Sequence, residues 1–290
     1  MGRSKYGEQQ LVLVMITGDG PEHHYVVNRI LEDFDLDAII VDRGLRQTRA
    51  ERIRYLTKKY TVAQLISRMT LRLTALLFRD ASHRRRALLD VLGADSRRFA
   101  NPTLVQYVDG INTADGRAAV SAASPDLLLI YGTGIVGSRV LALARTAALN
   151  LHTGMSPDYR GSDCVFWPIL KREYRLVGAT IHECTNRIDG GEIYRRQRAE
   201  LQPDEGQFAA FARCVEVGAE LYVSTIRRAL SGPLEGEEQD LTTGREYRAA
   251  DKKLGHDLSV RWAFRSGRLR RHLQAEPVAP LSTTGDSVNG

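Results

Sequence analysis

The chain of 290 residues is long enough to bury a full hydrophobic core. It is 43% hydrophobic and 26% charged, as in ordinary soluble globular proteins, and no apolar run is long enough to cross a bilayer. The three cysteines are scattered and lack CxxC spacing, so the sequence indicates neither a disulfide framework nor a zinc site. The N-terminus has no apolar signal stretch, so we expect a cytoplasmic location.

The net charge of +6 is unevenly distributed along the chain. Between Arg43 and Arg98, fifteen Arg or Lys stand against four Asp or Glu, which gives this segment a net charge of +11. Such a segment creates a field that attracts anions such as phosphates. The alternative is a set of solvated helix faces without a ligand.

Hydrophobic periodicity predicts alternating strands and helices from the start of the chain. A buried strand at 11–16 ends at a glycine-rich turn, and a helix at 25–34 and a strand at 38–41 follow. This order indicates a parallel sheet with right-handed crossovers. Residues 45–98 are predicted to form an Arg-rich helical insertion before the third strand. One helix face there carries an apolar stripe, interpreted as core or partner packing: Val62, Leu65, Ile66, Met69, Leu73, Leu76 and Leu77.

The rest of the chain continues this alternation. We predict, in order, a strand at 104–108, a helix at 113–123, a strand at 126–130, a helix at 137–148, a strand at 149–152, a short helix at 166–171, strands at 178–183 and 192–198 (the latter at the sheet edge), and a long helix at 204–230. The predicted fold class is α/β, a Rossmann-like, mostly parallel sheet with helices on both faces. We expect a main domain at 8–232, an extension at 233–278 and a disordered tail at 279–290.

A glycine-rich loop follows the strand at 126–130. Its pattern, Gly132-Thr-Gly-Ile-Val-Gly137, fits the dinucleotide fingerprint GxGxxG. That fingerprint also requires an acidic residue at the end of the next strand. The next strand ends in Asn150 and His152 instead, so a nicotinamide site is not favoured.

Three polar residues in this region could move a proton. Asn150 and His152 lie two residues apart on a strand, so their side chains point to the same face. Asp189 lies in a turn before Gly190, from which its carboxylate could reach His152 and favour the protonated form of the ring. An amide donor, an imidazole and a carboxylate can stabilise an oxyanion and transfer a proton, as acyl transfer to an amine requires. The alternatives are a core histidine and a turn aspartate. His182 is interpreted as a packing or substrate-lining residue.

This ordered pattern resembles the formyltransferase family that uses 10-formyltetrahydrofolate, whose members act on glycinamide ribonucleotide, methionyl-tRNA or amino sugars on nucleotides. The resemblance covers about 125–193. Besides the three polar residues, the matching positions are Pro157, 126–137, 159–161, 178–182 and 188–191. Thr153-Gly154 stands where the family usually has Pro-Ser, which leaves the acceptor open.

The resemblance implies a catalytic domain at 8–232 with Asn150, His152 and Asp189 as catalytic residues. Gly18, Arg160 and Gly161 would contact the acceptor. A plain tight turn is the favoured interpretation of the Gly18 segment on its own, and a surface charge is the alternative for Arg160. The formyl donor, 10-formyltetrahydrofolate, would bind at Tyr131, Gly132, Thr133, Gly134, Ile135, Val136, Ile188 and Gly190.

We therefore expect a folate-dependent N-formyltransferase that uses no metal. Its expected acceptor is a small-molecule amine, such as an amino sugar nucleotide or a specialised metabolite. A homodimer is allowed, and nucleic acid and membranes are not expected as partners. The alternatives are a formyltetrahydrofolate hydrolase, and a methionyl-tRNA formyltransferase-like or RNA-binding protein that uses the basic segment.

Overall fold

The computed structural model describes residues 11–45 and 47–275. The strands are β1 (Leu13–Thr17), β2 (Ala38–Asp42), β3 (Val105–Val108), β4 (Leu127–Tyr131), β5 (Ala147–His152), β6 (Tyr159–Gly161), β7 (Gly178–Glu183), β8 (Ile193–Arg198) and β9 (Arg245–Tyr247). The α-helices are α1 (Pro21–Asp33), α2 (Arg49–Lys59), α3 (Val62–Leu77), α4 (Asp80–Leu92), α5 (Ala114–Ala123), α6 (Ser138–Leu141), α7 (Phe166–Lys171), α8 (Gln207–Ser231), α9 (Leu254–Arg265) and α10 (Arg268–Ala275).

Seven strands form one sheet with the order β3-β2-β1-β4-β5-β7-β8. The first five run parallel, and β7 is antiparallel to both of its neighbours. The predicted α/β fold with a mostly parallel sheet is therefore confirmed. A smaller sheet pairs β6 with β9 in parallel.

Both faces of the sheet are covered because its central strands are apolar on both sides. Every residue of β1 and β4 is buried, as expected for inner strands of a parallel sheet. Leu13 and Met15 pack with α1 and α8 on one face, while Val14 and Ile16 pack with α5 on the other. The core thus holds the carboxyl ends of β4 and β5 rigidly, and the candidate site lies there.

The helix predicted at 137–148 is wrong in length. Only α6, a single turn, is helical. The amides of Arg145 and Thr146 already bond to the carbonyls of Pro125 and Asp126, which precede β4. Since β5 begins at Ala147 and must pair with β4, too few residues remain for a longer helix.

The segment between β2 and β3 consists of three helices, at the place where the sequence predicted an insertion. Two of these helices begin with a capping box, in which the side chains of the first and fourth residues each accept a hydrogen bond from the other's backbone amide. The pairs are Thr48 and Glu51 at α2, and Thr61 and Gln64 at α3. Helix α4 packs back on α8. The apolar stripe of α3 was interpreted as core or partner packing, and core packing is wrong for most of it, since Met69 and its neighbours are exposed.

Several predicted features lie outside the described residues. These are the tail at 279–290, the start of the main domain at 8–10, and the last residues of the predicted extension. Within the described ranges, none of the helices combines the length and the apolar character that a membrane span needs.

Candidate functional site

Asn150, His152 and Asp189 converge at the carboxyl end of β5. Asp189 Oδ2 lies 3.4 Å from His152 Nδ1, and Asp189 Oδ1 lies 3.5 Å from Asn150 Nδ2. The first two side chains share a face of β5 because strand side chains alternate. The structure thus brings the three predicted catalytic residues within reach of one another, and their catalytic role stays a prediction.

The backbone holds the Asp189 carboxylate in place. Its residue adopts a left-handed conformation with φ of 46°, which Asp tolerates better than most side chains. The amide of Gly161 donates to Asp189 Oδ2 at 2.7 Å, and Gln239 Nε2 donates to the Asp189 carbonyl at 3.0 Å. The turn is therefore fixed from two sides, so the carboxylate keeps its orientation toward His152.

His182, which the sequence analysis interpreted as a packing or substrate-lining residue, is a fourth member of this cluster. It stands directly opposite Asn150 in the antiparallel pair of β5 and β7. Its Nε2 lies 3.1 Å from Asn150 Nδ2 and 3.4 Å from Asp189 Oδ1, and its Nδ1 lies 2.7 Å from the Glu183 carbonyl. A proton on Nδ1 leaves Nε2 free to accept from Asn150, which fixes the amide of Asn150.

The Asp189 carboxyl group is strongly biased toward its charged form. Burial on its own would raise its pKa. The neighbouring His152 and His182, and the amide of Gly161, outweigh burial and hold the pKa well below its usual range. Asp189 is therefore a carboxylate at any pH near neutral.

His152 shows the opposite balance between burial and charge. Burial lowers its pKa below the usual value, and the attraction of Asp189 opposes this without overcoming it. Asp189 thus acts on the His152 pKa in the predicted direction, and burial has the larger effect. Nε2 lies 3.0 Å from the Tyr159 carbonyl, so both ring nitrogens face oxygen acceptors. A proton gained during a reaction would satisfy both contacts.

Arg160 is a buried residue, so its interpretation as a surface charge is wrong. Its Nε donates to the Pro157 carbonyl and its Nη2 to the Leu241 carbonyl, both at 3.2 Å. It therefore ties the loop after β5 to the C-terminal part of the chain. Gly161, the next residue, uses its amide for Asp189, as described above.

The glycine-rich turns after β1 and β4 meet at His23. The Gly18 amide lies 3.3 Å from His23 Nδ1, so this amide already has a partner inside the protein. A side chain at Gly132 would collide with the His23 ring. The side chains of His23 and His24, at the start of α1, are each only 12% exposed. Burial lowers the pKa of His23.

The predicted donor-binding residues lie in two exposed loops. In the first, Ile135 is 78% exposed, while Tyr131 and Val136 are buried and anchor the loop at its two ends. In the second, Ile188 is 42% exposed, and Gly190 lines a cavity of about 320 Å³. The first loop begins next to the site, because Tyr131 at the end of β4 pairs with Leu151 of β5, the residue between Asn150 and His152.

A cavity of about 240 Å³ opens beside His152. Its walls come from the loop after β5, from α4 of the inserted segment, from the start of α8 and from the segment before α9. They combine aromatic surface with charges of both signs, from Arg84, Phe166, Phe208, Phe211, Lys252 and Asp257.

Two ion pairs fasten the inserted helix to the rest of this cavity. Arg84 Nη2 lies 2.6 Å from Glu22 Oε1 of α1, and the Arg84 guanidinium stacks over the ring of Phe211. Arg261 of α9 donates from Nη1 to Asp80 Oδ1 at 2.9 Å. The inserted segment is therefore part of the wall of the site.

In the described part of the chain, no cluster of three or more His, Cys, Asp or Glu side chains is arranged for a metal ion.

Comparison of the sequence with known proteins gives a match that spans this site. Residues 110–226 match the family described as Formyl transferase, and this range contains Asn150, His152, His182 and Asp189. The methionyl-tRNA formyltransferase of Chlorobium chlorochromatii is 32% identical over 124 residues, which are 43% of this chain and 39% of that protein. The methionyl-tRNA formyltransferase of Anaeromyxobacter dehalogenans is 31% identical over 155 residues, 53% of this chain and 49% of that protein. The chain thus spans about half or less of these relatives.

Comparison with solved structures shows the same fold. A sugar N-formyltransferase from Shewanella sp superposes with a TM-score of 0.53 at 12% identity, covering 87% of both chains. A 4-N formyltransferase from Francisella tularensis superposes with a TM-score of 0.51 at 15% identity, covering 83% of this chain and 77% of the other.

Proposed function

Because residues 110–226 belong to the formyl transferase family, we propose that this chain transfers a formyl group from 10-formyltetrahydrofolate to the amine of a small molecule. The observation that carries the proposal is the contact of Asp189 with both His152 and Asn150, at 3.4 and 3.5 Å. An amide donor and an imidazole that share one carboxylate are suited to a tetrahedral intermediate.

In the proposed reaction, the lone pair of the acceptor amine attacks the formyl carbon and the carbonyl electrons move to oxygen. The Asn150 amide donates to this oxyanion the N–H that His182 does not hold. The proton of the attacking nitrogen passes through water held by Asp189 to His152, which becomes an imidazolium and stabilises the same charge. The bond from the formyl carbon to folate N10 then breaks, the carbonyl re-forms, and His152 returns the proton to N10.

The donor would lie against the two exposed loops of the predicted folate site. Ile135 and Ile188 expose apolar surface there, which suits the face of a pterin ring, and exposed backbone at Gly132 and Gly134 offers hydrogen bonds to its edge. A binding titration with tetrahydrofolate tests this placement, because Ile135→Asp should weaken binding without altering the fold.

The acceptor would lie in the cavity of about 240 Å³ beside His152. Such a volume is at or below the low end of ordinary small-molecule pockets, so a compact amine is favoured over one attached to a large carrier. Aromatic walls at Phe208 and Phe211, with Arg84 and Lys252 nearby, suit an amine that also has an apolar part and an anionic group.

Two other functions are compatible with the same site. The curated relatives described above are named methionyl-tRNA formyltransferases, and the basic inserted segment could contact RNA. A hydrolase would use the same site residues with water as the nucleophile. Formyl transfer to a small amine is preferred because the inserted segment forms a wall of the cavity through Arg84.

One experiment separates these functions. The full chain is incubated with 10-formyltetrahydrofolate and a panel of amines, amino sugar nucleotides and methionyl-tRNA, and each product is examined for the mass of one added formyl group. Transfer to a compact amine supports the proposal. Transfer to methionyl-tRNA alone, or release of formate without any amine, contradicts it. His83→Ala is a matched control for His152→Ala, because His83 is an exposed histidine of α4.

A further inference from the structure

Helix α3 carries a stripe of apolar side chains that the described part of the chain leaves exposed. Helix α3 contacts α4 and α9, yet the stripe remains open to solvent. The exposed fractions are 73% for Val62, 53% for Ile66, 57% for Met69, 58% for Leu73, 77% for Leu76 and 78% for Leu77. A continuous apolar patch of this extent on a folded protein marks an interaction surface.

The spacing of the stripe is that of a coiled-coil seam. Positions 62, 66, 69, 73 and 76 alternate steps of four and three residues, so they lie in one line along the helix. The spacing of the apolar residues is nearly symmetric about Met69. The stripe has apolar residues three and seven positions before Met69, and four and seven positions after it. A helix with this symmetry matches an antiparallel copy of itself.

We propose that α3 pairs with α3 of a second copy of this chain, antiparallel and around a two-fold axis at Met69. Ile66 then lies against Leu73 of the second copy, and Val62 against Leu76. Each residue meets its counterpart reciprocally, as in other interfaces that a two-fold axis generates. This inference does not depend on the proposed reaction.

Arg68 and Arg72 are the charged residues of α3. Arg68 stacks on the ring of Tyr60 in its own chain, 4.5 Å away. Antiparallel packing keeps the two copies of Arg72 six residues apart, about 9 Å along the helix axis, which is close to one screening length in physiological salt. The direction of pairing therefore rests on the symmetry of the apolar stripe.

The area of the stripe is sufficient for a specific dimer. Each of the six side chains exposes on the order of 100 Å², so two copies would bury roughly 1,200 Å² in total, the lower end for specific interfaces. We therefore expect a dimer that dissociates on dilution. An anionic membrane or an acidic partner helix is a different occupant, which the same measurements distinguish.

Sedimentation of the full chain over a range of concentrations tests the dimer. We expect Met69→Glu to raise the dissociation constant at least about 100-fold, because the two carboxylates meet at the axis. Leu258→Glu, at a 45% exposed leucine of α9, should leave the dimer unchanged. Thermal unfolding of both variants at low protein concentration should match the wild type. A wild type that is monomeric at every concentration, with or without binding to anionic vesicles, overturns the proposal, as does an intact Met69→Glu dimer.

Cysteine crosslinking tests the direction of the helices. Met69→Cys should form a disulfide between copies, and a mixture of Val62→Cys with Leu76→Cys should form the mixed dimer, while Val62→Cys alone should not crosslink. Crosslinking of Val62→Cys with itself overturns the antiparallel geometry. The wild type serves as the control for crosslinking through Cys184, which is partly exposed, whereas Cys164 and Cys214 are buried.

Discussion

Asn150 and His182 stand directly opposite each other on antiparallel strands, with Asn150 Nδ2 lying 3.1 Å from His182 Nε2. His182 is 2% exposed and its other ring nitrogen faces the Glu183 carbonyl at 2.7 Å. The ring is therefore fixed by its own strand, and its contact with Asn150 fixes the orientation of the Asn150 amide. In the proposed reaction His182 is a positioning residue, since a substrate would contact Asn150.

His182→Leu should lower kcat about tenfold, the effect of one lost hydrogen bond of ordinary strength. The KM for the folate should change little. His182→Gln should recover much of the rate, because its amide oxygen can accept from Asn150. Steady-state kinetics of the two variants check this prediction. Equal rates for the two would indicate that His182 acts only by filling space.

Asn150→Ala and His152→Ala should each lower kcat by about 100- to 1000-fold, the usual effect of removing one donor to an oxyanion. Folding should be retained, as judged by circular dichroism. Single-turnover kinetics with formyl folate and the accepted amine give the rate of the chemical step. His83→Ala should react at the wild-type rate, and near-normal turnover in either site variant contradicts the assignment.

The balance between burial and charge at His152 predicts a pKa below about 6.5, the ordinary value. The Asp189 carboxylate is the group that opposes this lowering, so Asp189→Asn should lower the pKa of His152 further. NMR titration of the imidazole in wild type and variant measures both values without any activity assay. A pKa that rises in Asp189→Asn contradicts the balance described here.

The sequence predicted the sheet well because its central strands are apolar runs with few alternatives. Leu13–Thr17 and Leu127–Tyr131 are buried at every position, so hydrophobicity alone locates them. Asn150, His152 and Asp189 were found because strand alternation and a turn before glycine are local patterns. The contact of His182 with Asn150 was not predicted because it depends on which strands pair and in what register, and register is a property of the folded sheet.

Local periodicity also failed where tertiary structure decides the outcome. Residues 137–148 have helical spacing, but α6 ends at Leu141 and the last two residues, Ala147 and Ala148, pair with β4. The stripe on α3 has the spacing of a packed helix face, yet Leu76 and its neighbours are exposed. Periodicity predicts that a face will be apolar without specifying which surface covers it.

The acceptor cavity predicts different roles for two adjacent arginines. Arg84 lines the cavity and stacks on Phe211, whereas Arg85 is exposed on α4. Arg84→Ala should raise the KM of the acceptor amine about tenfold or more and leave the KM of the folate unchanged, since only the acceptor would contact it. Arg85→Ala should leave both values unchanged.

Because Arg84 also pairs with Glu22, the stability of the variant must be measured alongside its kinetics. Arg84→Lys keeps a charge for Glu22 and loses the planar group over Phe211. If Arg84→Lys matches the wild type in Tm but shares the raised KM of Arg84→Ala, the cavity role is supported. A raised KM for the folate in either variant contradicts the assignment of the cavity to the acceptor.

Gly161 is a position where conformation and site geometry depend on each other. Its φ is 89°, which disfavours a side chain, and an added Cβ would lie 2.2 Å from the Tyr247 carbonyl oxygen. Its amide also donates to Asp189 at 2.7 Å. Gly161→Ala should therefore lower the free energy of unfolding by about 1–3 kcal/mol. It should also lower kcat about tenfold, because the collision displaces the residue-161 amide from the Asp189 carboxylate and weakens that hydrogen bond.

Gly255→Ala is the matched control, because Gly255 is an exposed glycine of α9 with no atom within 4 Å of an added Cβ. Its free energy of unfolding should be unchanged or slightly raised, since alanine restricts the unfolded chain more than glycine does. Chemical denaturation measures both variants. If Gly161→Ala lowers stability but leaves kcat intact, the Gly161 amide does not orient the Asp189 carboxylate during turnover, and the loop after β5 contributes only to the fold.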